Sequence, residues 1–401
     1  MARIDTDILI AGGGIAGLSA ALAFGQAGFR VLLVSPRPPV TDGGAAGSDL
    51  RSTAFLQPAQ ALFEEIGLWD ALGGDAVPLE GLRIVDSVGW PPDPRETREF
   101  RASDLGDRPF GWNLLNWRVS RALTEVLAGI DAVALRFDTG FAGMVAREDH
   151  ALVRLSGGDS VRARLVVAAD GRDSAVREAA GIGAQVTRYG QKALAFVVTH
   201  PIPHENVSTE IYNAGGPFTM VPLPDLGGVP ASAIVWMNPG ARALELAGMD
   251  GPAFEAEMTA RSCSWLGPLA LASGRRVWPI VSQRADRLVA RRTAIVAEAA
   301  HVVPPIGAQG LNTSLNDVIA LRDLAVQAGT AGLGGPDMLA KYERQRAPDI
   351  RARVGAIDLF NRVTRSGDRR MQALRLAGLR MVYDLPPVRH AVMRAGMGAR
   401  A

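Results

Sequence analysis

The apolar run Asp7-Ile8-Leu9-Ile10-Ala11 stops at three spaced glycines, Gly12, Gly14 and Gly17. From Leu18 to Ala27 the pattern is helical, and a second apolar run covers Arg30 to Val34. The spacing thus predicts a strand, a turn, a helix and a strand. Helical periodicity reappears from about Pro58 to Leu72 and from Asn116 to Leu127, with a proline-rich surface turn, Trp90 to Pro94, between them. Alternating short segments then lead to Arg164-Leu165-Val166-Val167-Ala168-Ala169, a continuous apolar run of the kind found in a sheet covered on both faces. From about Ala193 to Val281 the character changes. Short strand-like runs (Ala193–Thr199, Thr219–Leu223, Ala231–Met237) separated by proline and glycine turns predict an antiparallel sheet. A buried-strand pattern returns at Ala294 to Ala297, and from Leu315 onward most of the chain reads as helix.

The 401 residues, 48% hydrophobic and 21% charged, supply material for a large core. A net charge of +2 carries no nucleic-acid signature. The charge is uneven, because residues 351–401 hold 11 arginines against 3 aspartates. Such a basic tail suits an anionic surface, and it equally suits a solvated helix face. Cys263 is the single cysteine, which excludes an intrachain disulfide and a thiolate cluster. No histidine pair has metal-ligand spacing, so no metal is expected. Ile8 to Phe29 is interrupted by glycines and flanked by Asp5 and Asp7, which fits strand–turn–helix better than a membrane span or signal peptide. A cytoplasmic location is the expectation.

Three segments carry chemistry. In the first, Gly12 permits a tight turn, Gly14 lets backbone approach a pyrophosphate, and Gly17 lets helix pack on strand. The helix start, with Ile15 and Ala16, faces the phosphates with free N–H groups. An adenine dinucleotide is the implied ligand. In the second, Asp170-Gly171 ends the Leu165 to Ala169 strand, where an acid can meet ligand groups; a plain turn with Ser174 near a helix cap is the alternative. In the third, a strand delivers Glu298, and a proline segment from Pro304 leads to Gly307-Ala308-Gln309-Gly310-Leu311-Asn312. Backbone N–H groups at that helix start suit a ring that gains negative charge on reduction.

With these segments, Gly215-Gly216-Pro217-Phe218, Pro222-Leu223-Pro224 and the late Asp358-Leu359-Phe360-Asn361-Arg362, the sequence resembles the single-component FAD-dependent aromatic hydroxylases, especially the UbiH/UbiF-type monooxygenases of ubiquinone biosynthesis. The resemblance spans nearly the whole chain. It implies an α/β fold of the class A flavoprotein monooxygenases: a Rossmann-like FAD-binding domain (1–75, 98–185 and 283–345), a β-sheet substrate domain (76–97 and 186–282) and a helical C-terminal region (346–401). It also implies that NADH or NADPH reduces FAD, that O2 forms a flavin C4a-hydroperoxide, and that oxygen passes to a phenolic ring. By the same resemblance Gly12, Gly14, Ile15, Ala16 and Gly17 hold the pyrophosphate, and Arg51 neutralises charge near the flavin. Asn116 contacts the adenosine side, and Asp170 and Gly171 serve both nucleotides. Glu298 reaches the ribityl or pyrophosphate region, and Pro304, Gly307, Gln309, Gly310, Leu311 and Asn312 line the ring. His301 takes a structural role.

Phe218 is placed at the substrate by the resemblance. It shares strand parity with Met220, which reads as core together with Trp236. Three positions depart from the family pattern. Ser35 stands where an acid usually binds the ribose, Ala297-Glu298 replaces Gly-Asp, and Thr313-Ser314 stands where a glycine is general. The implied substrate is a polyprenylated phenol, with peripheral membrane or biosynthetic-complex association through the C-terminal helices. A hydroxylase of small soluble aromatics and a non-catalytic flavoprotein scaffold stay open as alternatives.

Overall fold

A computed structural model of the protein describes residues 3–397. Its organising element is an 8-stranded sheet in the order Val289–Ala290, Thr293–Ile295, Ser160–Ala168, Arg3–Ala11, Val31–Val34, Val133–Arg136, extended by the hairpin Phe141–Ala146 and Ala151–Leu155. The five strands from Thr293–Ile295 to Val133–Arg136 run parallel. Ile8, Leu9, Ile10, Leu165, Val166 and Val167 are fully buried, as a continuous apolar run in a doubly covered sheet requires. The helix Ile15–Gln26 is buried nearly all round because it lies between this sheet and the helices Asn116–Leu127 and Gln309–Gly332.

A 9-stranded, mainly antiparallel sheet forms the second layer, ordered His301–Val302, Arg276–Ala285, Ala184–Thr199, Val229–Pro239, Gly216–Leu226, Val207–Asn213, Gly81–Val88, Asp93–Arg101, with the short strand Ala270–Leu271 pairing on Ala184–Thr199 as the ninth. One face is covered by the helices Gly240–Gly248 and Gly251–Arg261. The strands Ser52–Leu56, Gly111–Leu115 and Val77–Leu79 make a small third sheet. Four helices close the chain: Gln309–Gly332, Pro336–Thr364, Arg369–Asp384 and Pro386–Met397.

Several boundaries differ from expectation. The helix expected over Pro58 to Leu72 is two, Gln57–Glu65 and Trp69–Leu72, because Gly67 takes φ +68° and turns the chain. The run Ala294 to Ala297 is strand only to Ile295 and then winds into a 3-10 turn, Ala297–Ala299. The late helical region begins at Gln309 rather than Leu315. The boundary expected at 97/98 falls inside Asp93–Arg101, which pairs with Gly81–Val88.

Candidate functional site

Sheet order brings the three turns together. Ala11, Ala168 and Ile295 end adjacent parallel strands, so the turns beginning at Gly12, Ala169 and Val296 emerge side by side at the carboxyl edge, where open α/β sheets bind ligands. Ala169 N donates to Ala11 O (2.8 Å) and Val296 N to Ala168 O (3.0 Å), which fixes their spacing. Gly12 has φ +119°, and a Cβ there would lie 2.1 Å from Ala169 O. A Cβ on Gly17 would lie 2.0 Å from Gly12 O. Gly14 is different: a Cβ would meet nothing within 4 Å, so its freedom from side chain is not required by the protein's own packing. Helix Ile15–Gln26 starts with neither a side-chain cap nor an acid in its first turn. Ile15 and Ala16 are therefore at a helix N-terminus with backbone donors turned outward, a fit to an anionic pyrophosphate. Ser35 follows the next strand, Val31–Val34, beside Gly13, and its hydroxyl donates to Arg37 O (2.7 Å).

Asp170 accepts from Ser174 Oγ (2.5 Å) and Val176 N (3.1 Å), and Ser174 caps Ala175–Ala179. Gly171, at φ +87°, completes the turn. The acid thus organises its own turn, and the alternative reading of Ser174 as a cap holds as well. Arg177 ties this turn to the third, donating to both Arg172 O and Ala299 O.

Arg51 and Asn116 meet through a residue the sequence did not single out. Asp49 accepts two hydrogen bonds from the Arg51 guanidinium (both 2.7 Å), one from Arg51 N (3.1 Å) and one from Asn116 Nδ2 (2.9 Å), while Thr53 donates to Asn116 Oδ1 (2.8 Å). Burial pushes the Asp49 carboxyl up, but the hydrogen bonds and charge of Arg51 outweigh it and hold it below the usual range. Arg51 also lies over the Trp278 ring (5.2 Å) and feels the charge of Glu298, so it sits where the two large sheets meet. Asn312 bridges the same region: it accepts from Leu56 N (2.9 Å) and donates to Ala54 O and Ala308 O (both 2.7 Å).

Glu298 is exposed on the 3-10 turn. A buried acid, Asp317, positions that turn. Its carboxylate accepts from Ala297 N (3.1 Å), pairs with His301 Nε2 (2.7 Å) and accepts from Arg346 Nε (2.8 Å). Burial raises the Asp317 carboxyl, yet His301 and Arg346 together hold it below the usual range. His301 therefore has the structural role expected of it. Ala297 carries φ +56°, a left-handed conformation that favours the glycine this chain lacks. Ala297→Gly is expected to stabilise the protein by about 1 kcal/mol, the αL penalty less glycine's entropic cost. A urea titration would show a raised midpoint; an unchanged or lowered midpoint would refute strain at this position.

The loop from Pro304 brings Gly307 (φ +61°) and Ala308 (φ +55°) to the start of the long helix, which has no side-chain cap. Gly310 and Leu311 form its first turn. Gln309 is half-buried and held by Gly307 O, Gly396 O and Arg353 rather than turned toward the turns at the sheet edge. Thr313 and Ser314 are satisfied within the helix, by Gln309 O (2.7 Å) and Gly310 O (3.0 Å), so this departure leaves the helix start intact.

Phe218 requires a correction. It is fully buried with Trp236 (5.3 Å between centroids), Met220, Ile234 and Phe254, under the helices Gly240–Gly248 and Gly251–Arg261. Ile306 packs on the opposite face, against Ala193, Val235 and Met237. Phe218 therefore points away from the proline–glycine loop, and the core role read for Met220 and Trp236 extends to it. The wall facing the loop carries Thr219 and Val221, whose register partners are Val235 and Ala233.

A dinucleotide-type parallel sheet, joined to an antiparallel sheet that covers its ligand edge, defines the class A flavoprotein monooxygenase fold. The p-nitrophenol 4-monooxygenase PnpA of Pseudomonas putida superposes over 100% of both chains with a TM-score of 0.78 at 18% identity. The match to the FAD binding domain family spans residues 5–356. Ubiquinone hydroxylase UbiL of Rhodospirillum rubrum is 33% identical over 98% of this chain and 89% of its own length. The 3-demethoxyubiquinol 3-hydroxylase of Escherichia coli is 30% identical over 90% of each. The chain belongs to the FAD binding domain family, as an FAD-dependent monooxygenase of the UbiH/UbiF type.

Proposed function

We propose that this enzyme hydroxylates the aromatic ring of a polyprenylated ubiquinone precursor, with NAD(P)H as reductant and O2 as oxygen source. The observation that carries this reading is the meeting of the three turns and the proline–glycine loop under the antiparallel sheet, in a chain that aligns over 98% of its length with a ubiquinone hydroxylase. FAD, when bound, takes electrons from NAD(P)H and activates O2. The chain's own part is binding and exclusion. Gly12, Gly14, Ile15, Ala16 and Gly17 hold the pyrophosphate, with Ser35 at the adenosine end. Arg51, fixed by Asp49 and Asn116, supplies positive charge. Asp170 and Gly171 shape the neighbouring turn, and Glu298 meets the ribityl chain. Pro304, Gly307, Gly310, Leu311 and Asn312 shield the ring from water, and Thr219, Val221 and Val235 face the substrate. Gln309 serves instead to fasten this loop to the C-terminal helix. The test is product analysis after incubating the FAD-loaded enzyme and NAD(P)H with prenylated and unprenylated phenols. Hydroxylation of the prenylated ring supports the reading; hydroxylation of unprenylated phenols alone would replace it with a soluble-aromatic hydroxylase.

We also infer peripheral docking on anionic membrane. Among the described residues no helix is long and apolar enough to cross one. The last helices nevertheless expose Leu374 and Met381 (each 57%), Leu385 and Val392 beside several arginines. They are fastened to the body by Arg375, which pairs with buried Asp86. Apolar contact and roughly 1 kcal/mol per basic side chain near a charged surface would act together. Replacing Leu374, Met381 and Val392 with serine is expected to weaken flotation with phosphatidylglycerol vesicles several-fold at unchanged melting temperature. Equal flotation would refute the surface.

A further inference from the structure

Among the described residues, Glu210 is a carboxyl group without a cation to pair with. It lies on the strand Val207–Asn213, is 6% exposed, and stands opposite Thr219 in the register of the antiparallel sheet. Its hydrogen-bond partners are the Tyr212 hydroxyl, which donates to Oε2, and the backbone N–H of Gly307 in the proline–glycine loop. Strand parity puts Glu210 and Tyr212 on the face away from Ile211, Phe218 and Trp236, the face that the loop and the C-terminal helices cover. The carboxyl thus stands where the sheet wall meets the loop assigned to the flavin ring.

Burying an ionisable acid without a counter-charge is costly, and a glutamine would accept the same two hydrogen bonds through its amide oxygen without that cost. An acid at this place therefore answers to something other than stability. Burial pushes its carboxyl upward, and the donors Tyr212 and Gly307 draw it only partly back. That brings it nearer a phenol, which favours proton transfer between them. Tyr212 is itself pushed well upward by burial and by Glu210, so it stays a donor. The charged groups packed nearby are Arg375 from the C-terminal helix and Asp86 and Arg95 from the adjoining strands, and these are paired with one another. Pro304 to Ala308 contributes no ionisable side chain.

We propose that Glu210 is the proton acceptor for the phenolic hydroxyl of the substrate, held in position by Tyr212 and the Gly307 amide. The inference rests on the hydroxylase reading above. The phenol O–H bond breaks, its proton passes to the Glu210 carboxylate, and the electron pair stays on the ring oxygen, which enriches the ring for oxygen transfer. NAD(P)H and O2 supply the redox equivalents. When the hydroxylated ring regains aromaticity, its C–H proton leaves with the water formed and the carboxyl proton returns to the ring oxygen, restoring the carboxylate.

The experiment uses the full-length, FAD-loaded enzyme with ortho-geranylphenol and its methyl ether. Without NAD(P)H, the wild type is expected to bind the phenol about 10- to 100-fold more tightly than the ether, and Glu210→Gln to lose most of that preference. In turnover, the wild type should show an acid limb above the ordinary carboxylate range. Glu210→Gln should run about 100-fold slower or worse and lose the limb. Glu210→Asp should keep a limb at reduced rate. Tyr212→Phe, which removes a donor to the ionised carboxylate, should move the limb to higher pH. A purely structural glutamate would move neither limb nor ether discrimination. Should Glu210→Gln fail to fold, the limb shift in Tyr212→Phe and the retained limb in Glu210→Asp decide. Glu210→Gln turning over within about threefold of wild type with its limb intact overturns this inference and leaves the hydroxylase reading standing. A wild type that forms no hydroxylated phenol overturns that reading itself.

Discussion

Asp317→Asn is expected to destabilise the protein by about 3–5 kcal/mol, the cost of leaving a buried charge without its partner. The substitution keeps the side-chain shape but takes from Arg346 its buried carboxylate partner at 2.8 Å, leaving only the half-buried Asp349, and removes the charge that His301 faces at 2.7 Å. It also loosens the turn that presents Glu298, because Ala297 N donates to the same carboxylate. Bound FAD should therefore fall with stability. The pH dependence has a definite sign. Asp317's folded-state value lies below its unfolded one, so its stabilisation is present above the ordinary carboxylate value, about 4, and is lost as pH falls through the lower folded value. Urea unfolding across that range should show a wild-type acid loss that Asp317→Asn lacks. A variant within about 1 kcal/mol of wild type would show that the buried cluster does not hold the turn.

The second large effect separates the fold from the cofactor site. Gly12→Ala places a Cβ 2.1 Å from the Ala169 carbonyl oxygen at a backbone φ of +119°, and neither strand can withdraw without breaking the parallel pairing. Strain and overpacking together should cost roughly 2–5 kcal/mol and abolish flavin retention. Gly14→Ala meets no atom within 4 Å, so the apo-protein should melt with the wild type. Its methyl group projects where the pyrophosphate is proposed to lie, and FAD affinity should drop by about tenfold or more in a fluorescence-quenching titration. Unchanged affinity in Gly14→Ala would move the pyrophosphate elsewhere.

The cofactor edge was legible because its requirements are backbone requirements. Gly12 and Gly17 are demanded by contacts near 2 Å, and such positions announce themselves as spaced glycines after an apolar strand. The residues that hold the site were not legible. Asp49, Arg177 and Asp317 act through partners distant in sequence, and nothing local distinguishes a buried acid such as Asp317 from one on a solvated helix face. Phe218 shows a different limit. Period-two alternation says which residues share a face, but here one face is covered by helices and the other by the proline–glycine loop and C-terminal helices. Parity grouped Phe218 with Met220 correctly and said nothing about which side they face. Glu210 was missed for a related reason: its strand, Val207–Asn213, is buried on both faces and carries no alternation to single out an acid.

The most direct test is to supply the FAD-loaded enzyme with NAD(P)H, a prenylated phenol and isotopically heavy dioxygen, and to weigh the product. The account predicts a ring carrying one heavy oxygen atom, formed only when flavin and reductant are both present. A product whose added oxygen comes from water, or NAD(P)H consumption that leaves the ring untouched, would contradict it.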